Sequence, residues 1–268
     1  MAVKYRIQYT DVSNSYNILD ISKDDYSGDI IYAQGIATLD YSSTEDILSP
    51  IRGCGLRVEL EASQNLDFSD LYREVERSYG VTYYKDGNIL FTGWLNPDGY
   101  YEDFVNNNWK VSFDCIDGLG DLESLAFVDS TGELFVGRMK EIDVLYNALK
   151  RTGISKSMAV NIRIGYIGLA NNVCVLDNVY VISERFIKDD KNTVMSCYEV
   201  IASILESYGA ILISKGDEWV IYRPGDMVRA DNWTFYKWNA FGTYVGAETR
   251  SYWQTVGNEV DGYSPFHC

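Results

Sequence analysis

The chain has 268 residues, 46% hydrophobic, 14% aromatic and 23% charged, a balance that excludes a disordered polymer and supports one large or two medium domains. Its 39 acidic and 23 basic residues give a formal charge of −16, which excludes a general electrostatic grip on phosphate backbones or anionic membranes. The single histidine, His267, stands next to the last residue, so a serine triad with a mid-chain base and a histidine-rich metal site are excluded as well.

The first third alternates with the period of strands. Tyr5-Arg6-Ile7-Gln8-Tyr9 and Tyr16-Asn17-Ile18-Leu19-Asp20-Ile21 change face at every residue, and Leu56-Arg57-Val58-Glu59-Leu60-Glu61-Ala62 is the clearest such run. Ser42 to Asp46, with Pro50, marks a loop, and Phe68-Ser69-Asp70-Leu71-Tyr72 reads as a short helical turn or surface loop. The strongest local signal is Val81 to Trp94, two β-rich runs around Asp86-Gly87. A tight primed turn suits that pair because glycine adopts positive φ at little cost. Asn96-Pro97-Asp98-Gly99 predicts a further turn, followed by an alternating strand from Trp109 to Cys115 and a glycine-punctuated corner from Ile116 to Leu122.

The period then changes. Lys140 to Lys150 places Ile142, Leu145, Tyr146 and Leu149 on one helical face, with Gly153 as a stop. Val160 to Ile164 and Val179 to Ile182 return to β. Ser196 and Glu199 have capping-box spacing and open a second helix with a stripe of Tyr198, Ile201, Ile204, Leu205 and Tyr208, ended by Gly209. Ala210 to Tyr222 reads as a second glycine-turn hairpin, closed by Pro224-Gly225; residues 226–268 show weak alternation and no clear helix. No fixed-period repeat or low-complexity tract is present. The expected fold is mainly β with an α+β second half: an antiparallel β-barrel or sandwich over residues 1–127, then an α+β domain with two helices and a C-terminal hairpin over 128–268.

Candidate sites for chemistry all have plainer readings. Cys54, Cys115, Cys174, Cys197 and Cys268 are widely spaced without a CxxC, as buried free thiols in a reducing compartment would be. His267-Cys268 supplies too few ligands for a metal. Asp114 with Asp117, or Asp98 beside Tyr100 and Tyr101, could serve a glycosidase, but aspartates in turns ordinarily stabilise those turns. Gly118-Leu119-Gly120 lacks the third glycine of a dinucleotide fingerprint, and Asp189-Asp190-Lys191-Asn192 does not fit an EF-hand. Ser130 and Ser183 have no internal histidine to activate them. No catalytic, metal-binding or cofactor-binding residue and no cofactor is therefore expected. The 22 Tyr, 10 Phe and 6 Trp exceed what a core this size needs and leave three readings: subunit interfaces, sheet surfaces and a sugar-stacking platform. The N-terminus lacks a signal-peptide apolar region, and no run reaches the roughly 18 apolar residues of a membrane helix, so a soluble product of the cytoplasm is expected.

The stretches Tyr83 to Asp98 and Trp109 to Leu122 resemble tail proteins of tailed phages, most closely the hub or distal-tail (baseplate) proteins of phages and prophages of Bacteroides-type hosts. The shared order is a strand, Gly93-Trp94-Leu95-Asn96-Pro97, a strand ending in aspartate, then Asp117-Gly118-Leu119-Gly120-Asp121-Leu122. Cys197 to Gly209 and Glu218 to Pro224 are similar to a later segment of such proteins. The resemblance implies a non-enzymatic virion component at the tail tip that oligomerises around the DNA channel, with trimers typical of hubs and hexamers of distal-tail rings. It implies the tail tube protein and spike, fibre or other baseplate proteins as partners, DNA only as passing cargo, no membrane insertion, and location in the virion tail. The polar segments 42–50 and 96–108 are the expected docking loops. The alternatives are a carbohydrate-binding host-adsorption module stacking sugars on Trp94, Trp109, Trp233, Trp238 or Trp253, and a wall- or polysaccharide-degrading glycosidase using an acidic pair.

Overall fold

Alternating side chains in the first third assemble into one eight-stranded sheet. The computed structural model describes residues 1–41, 49–73, 75, 77–102, 109–162, 173–188, 193–227 and 232–251. The chain divides into two units: residues 1–45, 52–120 and 214–217 form the first, and 46–51, 121–213 and 218–268 the second. The strands of the first unit are β1 (Ala2–Thr10), β2 (Tyr16–Lys23), β3 (Ile31–Ala33), β4 (Gly35–Tyr41), β6 (Cys54–Ala62), β7 (Tyr79–Lys85), β8 (Asn88–Glu102) and β9 (Trp109–Ile116); the two-residue β5 (Ile51–Arg52) joins the other large sheet. Their order is β3-β1-β2-β7-β8-β9-β6-β4, with every neighbouring pair antiparallel except β1 and β3.

Register places the apolar residues on one face. Ile7 lies opposite Leu19, Leu19 opposite Tyr83 and Tyr83 opposite Phe91; at the other end Cys115 faces Leu56, Phe113 faces Val58, and Val58 faces Ala37. Ile7, Leu19, Val58, Phe91 and Phe113 are wholly buried. Each such side chain contributes about 1.5–3 kcal/mol relative to exposure, so a one-residue slip of β6 would forfeit several at once. The short helix α1 (Ser69–Arg73) is no surface loop: Phe68 and Leu71 beside it are buried in this core. The order is open, so the sheet is not a closed barrel; its two end strands, β3 and β4, are consecutive in the chain with only Gln34 between them.

The Asp86-Gly87 turn forms as predicted, with φ of 48° and 81° at its two residues. Asp86 also ties the turn to β2, its N–H donating to the Tyr16 carbonyl and its carboxylate accepting from the Tyr16 N–H, both at 2.8 Å. The turn expected at Asn96 to Gly99 is absorbed into β8, whose pairing with β9 shifts register between Asn96 and Tyr101. A bulge accommodates Pro97 without ending the strand.

The second unit holds β10 (Arg138–Lys140), α2 (Glu141–Lys150), β11 (Ser157–Asn161), β12 (Tyr180–Ile182), α3 (Cys197–Tyr208), β13 (Ile211–Lys215), β14 (Glu218–Tyr222), α4 (Pro224–Met227), β15 (Asn232–Trp238) and β16 (Tyr244–Ser251), as bounded by secondary structure. Its main sheet runs β16-β15-β11-β14-β13-β5, with β11 and β14 parallel, and β10 pairs with β12 in a separate ribbon. The sheet is buried on both faces: Ala159, Val220 and Phe235 share one face, Val160 and Ile221 the other.

The helices α2 and α3 pack on each other. Ser196 Oγ accepts from the Glu199 N–H at 3.1 Å while the Glu199 carboxylate accepts from the Ser196 N–H at 2.7 Å, and Gly209 closes α3 in the left-handed conformation. Of the expected α3 stripe, Ile201, Ile204 and Leu205 are buried, joined by Cys197, Val200 and Ala202, while the two tyrosines are not fully buried. Tyr198 and Tyr208 sit at its margins because their hydroxyls need polar partners, and Tyr208 donates to the buried Glu141 carboxylate at 2.6 Å. Burial pushes the Glu141 carboxyl above its ordinary pKa, partly offset by Tyr208 and Arg185. The weakly patterned stretch after residue 226 supplies β15 and β16.

Candidate functional site

Of the aspartates singled out for acid–base chemistry, Asp117 serves the backbone. Asp117, 2% exposed, accepts from the Cys54 N–H at 2.7 Å through Oδ2 and from the Leu119 N–H at 3.0 Å through Oδ1. It thereby clamps the Gly118-Leu119-Gly120 corner to the start of β6. Asp114 is exposed and opposite Arg57 in the β6–β9 pair, while Asp98 is exposed and its N–H donates to the Asn96 side chain at 3.1 Å. Ser183 is buried and donates to the Gly137 carbonyl at 2.9 Å, whereas Ser130 is exposed. Among the described residues, no cluster of three or more His, Cys, Asp or Glu is placed to hold a metal, and no helix is long and apolar enough to cross a membrane. Asp189 to Asn192, Trp253 and the His267-Cys268 end lie outside the described residues.

Three of the tryptophans named for sugar stacking, Trp109, Trp233 and Trp238, are taken up by packing. Trp233 and Trp238 are 0% and 3% exposed, Trp109 packs against the first core, and Trp94 is half-buried. Period-two alternation puts Trp233 and Phe235 on the inward face of β15, so these rings fill a core instead of facing a sugar. Of the expected docking segments, residues 42–48 and 103–108 lie outside the described residues, 49–50 carry no helix or strand, and 96–102 are strand.

What the fold does present are the ends of its sheets, where backbone N–H and C=O groups can join another strand. In the first unit β3 is only three residues long, and β4 is guarded. The Tyr9 hydroxyl, carried by β1, donates to the Ala37 carbonyl at 3.1 Å and lies 3.2 Å from the Ala37 N–H, occupying both polar groups of one β4 residue. The same hydroxyl is 3.2 Å from that of Tyr83, which donates to Asn17 Oδ1 at 2.7 Å. Tyr9→Phe removes this guard with the ring retained. We expect a loss of about 1 kcal/mol in urea unfolding and faster exchange of the Ala37 amide, and unchanged exchange would refute the guard.

In the second unit, β16 ends the main sheet, and the charges flanking it are satisfied within the sheet. Lys237 Nζ lies 2.8 Å from Glu218 and 3.1 Å from Glu248; Arg250 pairs with Glu218 at 2.9 Å and also with Glu248. The Arg250 guanidinium lies over the Phe235 ring at 4.9 Å. Desolvation acts to raise the Glu248 carboxyl, but Arg250 and Lys237 outweigh it and hold the pKa below the usual value. No spacing in the sequence announces this network, because its members come from three strands.

No family model matches the chain, and no curated protein matches it. Three solved structures share limited similarity. A 43 kDa tail protein of prophage MuSo2 from Shewanella oneidensis is 14% identical with a TM-score of 0.44, over 77% of this chain and 53% of that one. A tail protein from Neisseria meningitidis MC58 is 12% identical with a TM-score of 0.40, over 70% of this chain and 50% of that one. The prophage tail protein gp18 from Listeria monocytogenes EGD-e is 11% identical with a TM-score of 0.33, over 70% and 50% respectively. The chain thus spans about half the length of these structures.

Proposed function

We propose that this chain is a structural, non-enzymatic component of a phage tail, located in the virion at the tail tip, where copies assemble around the DNA channel and connect the tail tube to spike, fibres or baseplate. The observation that carries the reading is where the phage-like segments fall. Residues 83–98 and 109–122 contain the end of β7, most of β8 and all of β9, neighbours in one sheet, while 197–209 and 218–224 span α3 and β14. The resembling residues are therefore framework, and a shared framework is what a shared assembly role requires.

The chemistry fits that role. Acidic residues facing a lumen would repel DNA and let it pass without adhering, consistent with a net charge of −16. Synthesis in the host cytoplasm precedes incorporation into the particle. The hub and distal-tail forms of the proposal differ in copy number, three for the hub and six for the distal-tail ring. Light scattering on the purified chain across a concentration series is expected to show one of these masses. A monomer at every concentration would overturn self-assembly of the isolated chain.

A further inference from the structure

We propose that Tyr5, Tyr26, Tyr79 and Asp70 form a recognition site for a primary alkylammonium ion, and that Lys4 is its built-in ligand. The inference goes beyond the assembly reading and does not depend on it. Asp70 of α1 accepts from Lys4 Nζ at 2.5 Å. The same nitrogen lies 5.2 Å from the ring centroid of Tyr5, 5.8 Å from that of Tyr26 and 5.9 Å from that of Tyr79. A cation within about 6 Å of an aromatic face is attracted by the ring quadrupole, so three rings and a carboxylate make a cage closed by a charge-assisted hydrogen bond.

The first strand is bent to load this site. Strict alternation along β1 would send Lys4 and Tyr5 to opposite faces. Instead the pairing with β2 shifts register here: Val3 faces Ser22, Tyr5 faces Ile21, and Lys4 is the extra residue. Such a bulge gives up a place in the ladder and re-aims a side chain. It brings two consecutive residues to one carboxylate, the Tyr5 hydroxyl donating to Asp70 Oδ1 at 2.8 Å and Lys4 to Oδ2.

The walls are held by bonds of their own. The Tyr79 hydroxyl donates to Asp70 Oδ2 at 2.5 Å, and the Tyr5 ring meets Phe68 edge-on at 5.2 Å. The Tyr26 hydroxyl donates to the Asp29 carbonyl at 2.6 Å, and a β-carbon added at Gly28 would stand 2.5 Å from that hydroxyl. A site built this way loses little freedom when it binds. The Lys4 and Asp70 side chains are 17% and 30% exposed, so a free ion can reach the site once the tethered one is gone. Asp70 sets the ligand class: its bond needs an N–H, which favours a primary ammonium over a quaternary one that meets only the rings.

The test removes the tether and supplies the ion. Lys4→Ala is combined with Lys23→Gln, because Lys23 Nζ lies 5.2 Å from the Tyr79 ring and is near enough to take the vacated place. n-Propylammonium chloride, the part of the lysine side chain that alanine lacks, is expected to raise the urea midpoint of this variant saturably, recovering about half or more of the shift that truncation causes. Tetramethylammonium chloride is expected to do less, and sodium chloride to give no saturable effect. Adding Tyr26→Leu is expected to raise the half-saturating n-propylammonium concentration about 2- to 5-fold. In wild type n-propylammonium should match sodium chloride, because the tethered ammonium holds the site. Should the variant not fold alone, the folded yield on refolding in each salt is the readout. Equal responses to all three salts would overturn the site and leave Lys4 and Asp70 an ordinary ion pair. A rescue that Tyr26→Leu leaves unchanged would overturn the aromatic cage.

Discussion

Gly93→Ala is expected to destabilise the first unit by about 3 kcal/mol or more, read as a large fall in the urea midpoint or as failure to accumulate folded protein. Gly93 lies on β8 opposite Val81, and a β-carbon built there would stand 2.1 Å from the Ile116 carbonyl oxygen of β9 and 2.6 Å from the Phe91 ring. The obstacle is backbone, which cannot rotate aside as a flexible side chain can. Gly87 supplies the contrast: its φ of 81° strains any other residue, but nothing lies within 4 Å of its added β-carbon. Gly87→Ala should therefore cost only about 1 kcal/mol. Equal midpoints for the two variants would show that β8 and β9 can separate locally, and would refute the close approach as the reason for glycine at position 93.

Asp70→Asn is expected to cost about 2–3 kcal/mol and to change the acid limb of the stability curve. The Asp70 carboxylate accepts from Lys4 Nζ at 2.5 Å, from the Tyr5 hydroxyl at 2.8 Å and from the Tyr79 hydroxyl at 2.5 Å. Tyr5 and Tyr79 are 3% and 2% exposed, so the amide would leave two buried hydroxyls and a lysine facing a weaker, uncharged acceptor. Burial acts to raise the Asp70 carboxyl, but Lys4, Tyr79 and Tyr5 together outweigh it and hold the pKa below its ordinary value. A carboxyl depressed in the folded state adds stability above the unfolded pKa of about 3.9 and loses it as pH falls through the folded value. Wild type should therefore lose stability from about pH 5 downward more steeply than Asp70→Asn. Parallel curves would remove Asp70 from the account of acid sensitivity. Tyr5 is raised mainly by burial and next by its bond to Asp70, which keeps its hydroxyl protonated as the donor.

Sequence showed most where a local rule is complete in itself. The β6 alternation became a buried-and-open strand, Asp86-Gly87 became a two-residue positive-φ turn, and Ser196, Glu199 and Gly209 bounded a helix with both halves of the capping box in place. It showed least where partners are distant. The parallel pairing of β1 with β3, and of β11 with β14, joins residues that share no local spacing. Pro97 and Gly99 announce a turn by composition, yet the ladder to β9 carries the chain straight through a bulge. The Asp70 cluster joins Lys4, Tyr5 and Tyr79 to a residue that local reading leaves in a turn or surface loop. Tryptophan count raised a sugar platform, whereas strand parity decides which rings face inward. The exposed Phe241, Tyr244 and Val245 lie in or between β15 and β16, a stretch whose alternation is blurred by Lys237 and Thr234, so neither its strands nor its tip stood out.

The cysteines turn the two units into separate clocks. Cys54 and Cys115 are buried in the first unit, Cys174 and Cys197 in the second. Desolvation drives the Cys115 thiol far above its ordinary pKa and raises Cys174 to about 12 and Cys197 to about 11. A thiol-selective reagent at neutral pH can attack them only after the surrounding strands or helices have opened, because the thiolate is the reactive form. Single-cysteine versions of the chain would then time the opening of each unit by their rate of reaction with such a reagent. They would also show whether raising the protein concentration slows one unit, the other, or both.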